Sequence, residues 1–159
     1  MTINIHFEKK FGPISERFIN ALEQGWQIKL PKNYKNFLMD INGGRPKNKL
    51  FTLKDKSNSS LIAGIFGISD EEDYNILTRY PIMLGDRIPS NTLPIADDQC
   101  GNLILLSVKG PDYGKVYFWD HEMEADEGQT PDYSNLTLIA DSFEEFINSL
   151  KSEEEIDHT

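Results

Sequence analysis

The sequence predicts an α+β fold: one domain on a mostly antiparallel β-meander, with helices from both ends of the chain packed on it. Three observations carry this. Apolar residues recur at helical spacing near the start (Tyr34, Phe37, Leu38, Ile41) and again at the end (Phe143, Phe146, Ile147, Leu150). Between them, short runs rich in β-branched and aromatic residues are punctuated by Gly, Pro, Asn and Asp, as strands joined by turns are. Finally, 159 residues, 38% hydrophobic and 26% charged, suit a single core.

Taken in order, Ser15 before Glu16, Phe18, Ala21 and Leu22 predicts a first helix with Ile14 packed at its entrance, ending near Gln24-Gly25. Leu30-Pro31 opens the second, since proline is tolerated in a first turn, and Asn42-Gly43-Gly44 stops it. Lys49–Leu53 and Leu61–Ile68 read as two strands around the polar turn from Lys54 to Ser60. A short helix from Glu71 to Tyr80, with Tyr74 and Leu77 inward, ends before Pro81, and Ile82 to Thr92 reads as irregular. Leu93–Ala96, Asn102–Val108, Gly114–Trp119 and Leu136–Ala140 follow as meander strands. Ser142 with Glu145 three residues on is a capping box that starts the last helix, and from Lys151 the chain reads as a charged, frayed tail.

The formal net charge is −10, unevenly placed. Up to Gly110 there are 14 basic and 12 acidic residues; from Pro111 onward, 2 and 14. An acidic C-terminal third repels nucleic acid and anionic lipid and speeds the approach of a basic partner. No run approaches the roughly 18 apolar residues that cross a bilayer, and MTINIHFEKK carries charge where a signal peptide needs its apolar segment, so a soluble cytoplasmic protein is expected. Cys100, the single cysteine, rules out an internal disulfide and a cysteine-based zinc site.

Asp97-Asp98-Gln99-Cys100-Gly101-Asn102 is the first candidate site. Asp, Gly and Asn are what a hairpin turn needs, whereas a two-carboxylate metal centre wants further ligands that the sequence does not supply nearby. A metal-dependent hydrolase using Asp97, Asp98 and His121 is therefore the third-ranked function. A Cys100 nucleophile would need a histidine base, and of His6, His121 and His158 only His121 qualifies, with no Asp or Asn partner at a recognisable spacing. No catalytic residue, cofactor or metal is expected. Lys9, Lys10, Lys32, Lys35, Lys47, Lys49, Lys54 and Lys56 are too interleaved with acids to form a nucleic-acid patch. In Val116-Tyr117-Phe118-Trp119 both alternating sets are large and apolar, so one set is covered by other elements or forms a contact patch. The acids that follow would rim such a patch. The expected partner-binding residues are Tyr117, Trp119, Asp120, Glu122, Glu124, Asp126, Glu127, Asp132 and Tyr133.

Four stretches, in this order, carry a resemblance: Leu30-Pro31-Lys32-Asn33-Tyr34-Lys35-Asn36-Phe37-Leu38 leading to Asn42-Gly43-Gly44; Leu93-Pro94-Ile95-Ala96-Asp97-Asp98 with Gly101-Asn102; Gly114-Lys115-Val116-Tyr117-Phe118-Trp119-Asp120; and Ser142-Phe143-Glu144-Glu145-Phe146. Together they resemble the SUKH superfamily, which includes the Smi/Knr cell-wall regulators of fungi. The resemblance spans about Ile14 to Leu150 and implies a SUKH-like domain over residues 1–151 with a charged tail over 152–159. It also implies helices around a mostly antiparallel sheet and, for bacterial members, a non-catalytic immunity protein that binds and neutralises a cognate toxin, often a nuclease. Cys100 departs from the small residue or glycine expected in that turn. A regulatory protein–protein interaction module of the fungal kind is the alternative the resemblance leaves open.

Overall fold

The computed structural model describes residues 6–69, 75–76 and 86–153. Its elements run β1 (Phe7–Lys10), α1 (Glu16–Trp26), α2 (Lys32–Asp40), β2 (Gly44–Pro46), β3 (Leu50–Thr52), β4 (Ser59–Ile65), β5 (Thr92–Asp98), β6 (Leu103–Ser107), β7 (Val116–Trp119), β8 (Leu136–Ala140) and α3 (Phe143–Ser149). The eight strands form one sheet in the order β1-β2-β4-β5-β6-β7-β8, with β3 sharing an edge of β4 with β2. Every strand pair is antiparallel, and β5 to β8 are the expected meander. The fold is thus α+β with helices from both ends of the chain. Most of the predicted helix between Glu71 and Tyr80, including Tyr74 and Leu77, lies outside the described residues.

The helix ends follow local chemistry. Ser15 Oγ accepts from the Phe18 N–H, so the predicted cap is in place, but α1 runs past Gly25 to Trp26. Gln27 takes the left-handed conformation instead (φ 57°), and the N–H groups of Gln27 and Ile28 donate to the carbonyls of Gln24 and Glu23. The buried face also differs from expectation: Ile19 is buried and Trp26 packs against the core, Leu22 is half-buried, and Phe18 and Ala21 are exposed. In α2 the predicted stripe of Tyr34, Phe37, Leu38 and Ile41 is buried. It meets α3, with Phe143 edge-on to Tyr34 at 5.0 Å and tilted on Phe37 at 4.8 Å between ring centroids. Ser142 Oγ caps α3 through the Glu145 N–H at 3.0 Å, but the Glu145 carboxylate accepts from the Asp141 N–H, one residue earlier than in a capping box.

Asn42-Gly43-Gly44 does more than stop α2. Asn42 is buried with φ 75°, and its amide pairs with both backbone groups of Ile68 at 2.8 and 2.9 Å. Gly44 lies so close to β1 that a Cβ there would stand 2.0 Å from the Lys9 carbonyl oxygen. Pro94, inside the central strand β5, is accommodated by a register shift between Pro94 and Ala96. At the far end, Lys151 exchanges two backbone hydrogen bonds with Leu50.

Candidate functional site

β7 hands the chain to a long acidic loop whose neck is closed by hydrogen bonds. The Asp120 N–H donates to the Asn135 carbonyl at 3.1 Å, and Asn135 Nδ2 donates back to the Asp120 carbonyl at 3.0 Å. Between these residues the loop carries Asp120, Glu122, Glu124, Asp126, Glu127 and Asp132 and no lysine or arginine. Asp120 starts it by accepting the Glu122 N–H, which caps a 3-10 turn over His121–Met123. Met123 is left 68% exposed among these acids, an apolar side chain that nothing in the sequence marks, because a lone methionine has no periodicity. Asp132 closes the loop by accepting from the Ser134 N–H and hydroxyl, bonds that hold its carboxyl below the usual carboxylate range.

Residues 124–131 form one wall of a cavity of about 870 Å³, and Asp86, Arg87, Ile88 and Ser90 form the other. Arg87 joins the two walls: Nη2 and Nε donate to the two Glu124 carboxylate oxygens at 2.8 and 3.0 Å. This fork holds the Glu124 carboxyl below its ordinary range. The same guanidinium lies 5.6 Å from the centroid of the Trp119 ring. Trp119 itself is 1% exposed and belongs to the core, which corrects its expected place among the contact residues. Arg87 covers its ring, while β7 itself pairs residue for residue with β6 and its register shift against β8 places the extra residue, Ile139, on β8; along β7, Val116 and Trp119 are buried while Tyr117 and Phe118 are half-buried.

At the foot of the loop, Asp112 collects three hydroxyls. Tyr133 and Tyr117 donate to Oδ2 at 2.6 and 2.9 Å, and Ser107 donates to Oδ1 at 2.8 Å. The two tyrosine rings meet edge to face at 5.2 Å, and Asn91 Nδ2 donates to the Tyr133 hydroxyl. Desolvation alone would raise the Asp112 carboxyl, but the three hydroxyls outweigh it and lower it, while desolvation and the adjacent carboxylate raise both phenols. Neither Asp112 nor Asn91 was singled out from the sequence, since a turn acid and a turn amide look alike whether or not they bind side chains.

Of the nine expected partner-binding residues, eight thus lie on the loop or at its foot. Glu124, Asp126 and Glu127 line the cavity; Tyr117 and Tyr133 meet at Asp112; Glu122 and Asp132 are exposed, and Asp120 is half-buried.

The first candidate site is a turn. Asp98, 4% exposed, accepts from the N–H groups of Cys100 and Asn102 at Oδ1 and from Ser60 Oγ and Asn102 Nδ2 at Oδ2. Four protein donors therefore occupy its lone pairs. Cys100 is exposed, and His121 stands over the turn, its Nε2 3.6 Å from where a Cβ on Gly101 would lie. Among the described residues no three His, Cys, Asp or Glu side chains stand together as a metal-ligand set. Several early lysines are engaged in ion pairs: Lys35 with Glu16 and Glu23, Lys49 with Glu8, and Lys54 with Asp141 and Glu145.

Comparison with known proteins agrees with this architecture. The chain is 32% identical over 152 residues to the SPbeta prophage-derived uncharacterized protein YokK of Bacillus subtilis (strain 168), covering 85% of this chain and 73% of that relative. The description of the SMI1 / KNR4 family (SUKH-1) matches residues 13–149, a span that holds α1, α2, the meander, α3 and the acidic loop. On both grounds the chain belongs to the SMI1 / KNR4 family (SUKH-1).

Proposed function

We propose that this chain is a non-catalytic immunity protein, acting in the cytoplasm, that binds a cognate protein toxin through the loop from Asp120 to Ser134 and so neutralises it. The observation that carries the reading is a family member with six acids and no lysine or arginine on one loop, clamped at its neck and set beside a cavity. A toxin that cuts nucleic acid must offer cations to the phosphate backbone, and an anionic loop can take that place. Charge of this sign steers a basic protein toward the loop and disfavours nucleic acid and anionic membrane as partners. Met123, well exposed among these acids, would add apolar contact area.

The test is co-expression with the product of the adjacent open reading frame. Relief of toxicity with a stable complex is expected; toxicity unrelieved and no complex overturns the reading. In that complex, Glu122→Lys, Asp126→Lys and Glu127→Lys together should slow association at least tenfold at low salt and flatten its salt dependence. Unchanged kinetics would move the contact elsewhere on the molecule.

A further inference from the structure

Arg87 is a cation in the middle of the surface just described, and on charge alone it works against a basic partner. Its contacts say what else it does. One planar group reaches two parts of the site: its Cζ lies over the Trp119 ring at the end of β7, and its Nε and Nη2 fork onto Glu124 beyond the 3-10 turn. Four residues on, Asn91 donates to the Tyr133 hydroxyl at the other flank of the loop. The turn from Asp86 to Asn91 therefore grips both sides of the loop, and Arg87 holds the side that lines the cavity. Residues 125–130 carry few such restraints, the Gln129 N–H to Asp126 carbonyl bond being one. Among the described residues the fork supplies both hydrogen bonds to the Glu124 carboxylate, and His121 adds only a charge interaction.

We infer that Arg87 is a positioning residue: by clasping Glu124 against Trp119 it presents the acidic loop in a fixed shape to a basic protein partner, so that removing this cation weakens binding. The inference rests on the proposed function for its partner and on geometry alone for the clasp. Simple charge bookkeeping has the opposite sign, because losing Arg87 makes the surface more anionic and should speed and tighten association.

Two measurements separate these. The first needs no partner: amide hydrogen exchange of the intact protein, wild type against Arg87→Lys, which keeps the charge but loses the planar fork. Exchange at residues 121–131 should accelerate about tenfold or more while the core strands are unchanged. Equal exchange in the loop overturns the clasp, whatever becomes of the toxin reading. The second uses the complex with the product of the adjacent reading frame. Arg87→Lys should leave the association rate near wild type and raise the dissociation rate about three- to tenfold. In a double-mutant cycle, Arg87→Ala with Glu124→Ala should cost no more than either alone, as expected of side chains acting through one contact. Tighter binding by Arg87→Ala, or additive losses, overturns the inference; a general loss of stability would appear instead as faster exchange in the core.

Discussion

A carboxylate taken out of water needs donors, and Asp98 shows how many: four protein groups meet its two oxygens in the turn before β6. Asp98→Ala strands those donors and should cost about 3 kcal/mol, read as a shift of the denaturant midpoint at constant slope. Tyr34 is the opposite case. Its ring fills the space between α2 and α3, but its hydroxyl is fully buried with no hydrogen-bond partner among the described residues, and desolvation pushes that phenol far above its ordinary pKa. Tyr34→Phe should therefore be neutral or stabilising by about 1 kcal/mol, since only an unpaired polar atom is lost. A clear drop in melting temperature would show that the hydroxyl has a role. From the sequence, Tyr34 was legible as a core position by its spacing; its unpaired hydroxyl was not, because partners depend on what the fold brings opposite.

At the scale of elements, the loop after β7 is tied to the sheet through Asp112, which links Ser107 at the end of β6, Tyr117 on β7 and Tyr133 in the loop. The sign of its pH effect follows from its lowered pKa. A carboxyl more acidic in the folded state contributes stability that is complete above its unfolded pKa and is lost as pH falls through the folded one. Asp112→Asn should thus be less stable than wild type at neutral pH and lose most of that disadvantage below about pH 4, in melting curves taken across the acid range. Elements with a long period were readable in advance, as the stripe of α2 and the capped start of α3 show. Short or interrupted ones were not. β2 is Gly44-Arg45-Pro46, which looks like a turn until β1 and β4 pair with it. On α1, Ile19, Leu22 and Trp26 and the rival set Phe18, Ala21 and Leu22 both fit a helical face, and tertiary packing chose between them. The acidic character of the site was legible from composition, but Arg87, Asn91 and Asp112 were not, since they reach it from other turns.

For the whole molecule, the two ends of the chain meet the sheet differently. β1 enters at the edge of the strand order, whereas Lys151 pairs with Leu50 in β3 through two backbone hydrogen bonds. A chain stopped after Leu150 loses that pair and should melt several degrees lower, while one stopped after Glu153 should match the full chain. Equal melting of the two would mean the pair contributes little. The site is likewise a property of the assembled sheet: the acids come from the loop that leaves β7, and the opposing wall comes from the turn before β5. Trp119 sits where these meet, and the chain has only one other tryptophan, Trp26 on α1. With Trp26→Phe, the remaining indole becomes a label-free optical reporter at the root of the loop. Its emission colour and quenching then register directly whether the guanidinium lid above it is on or off.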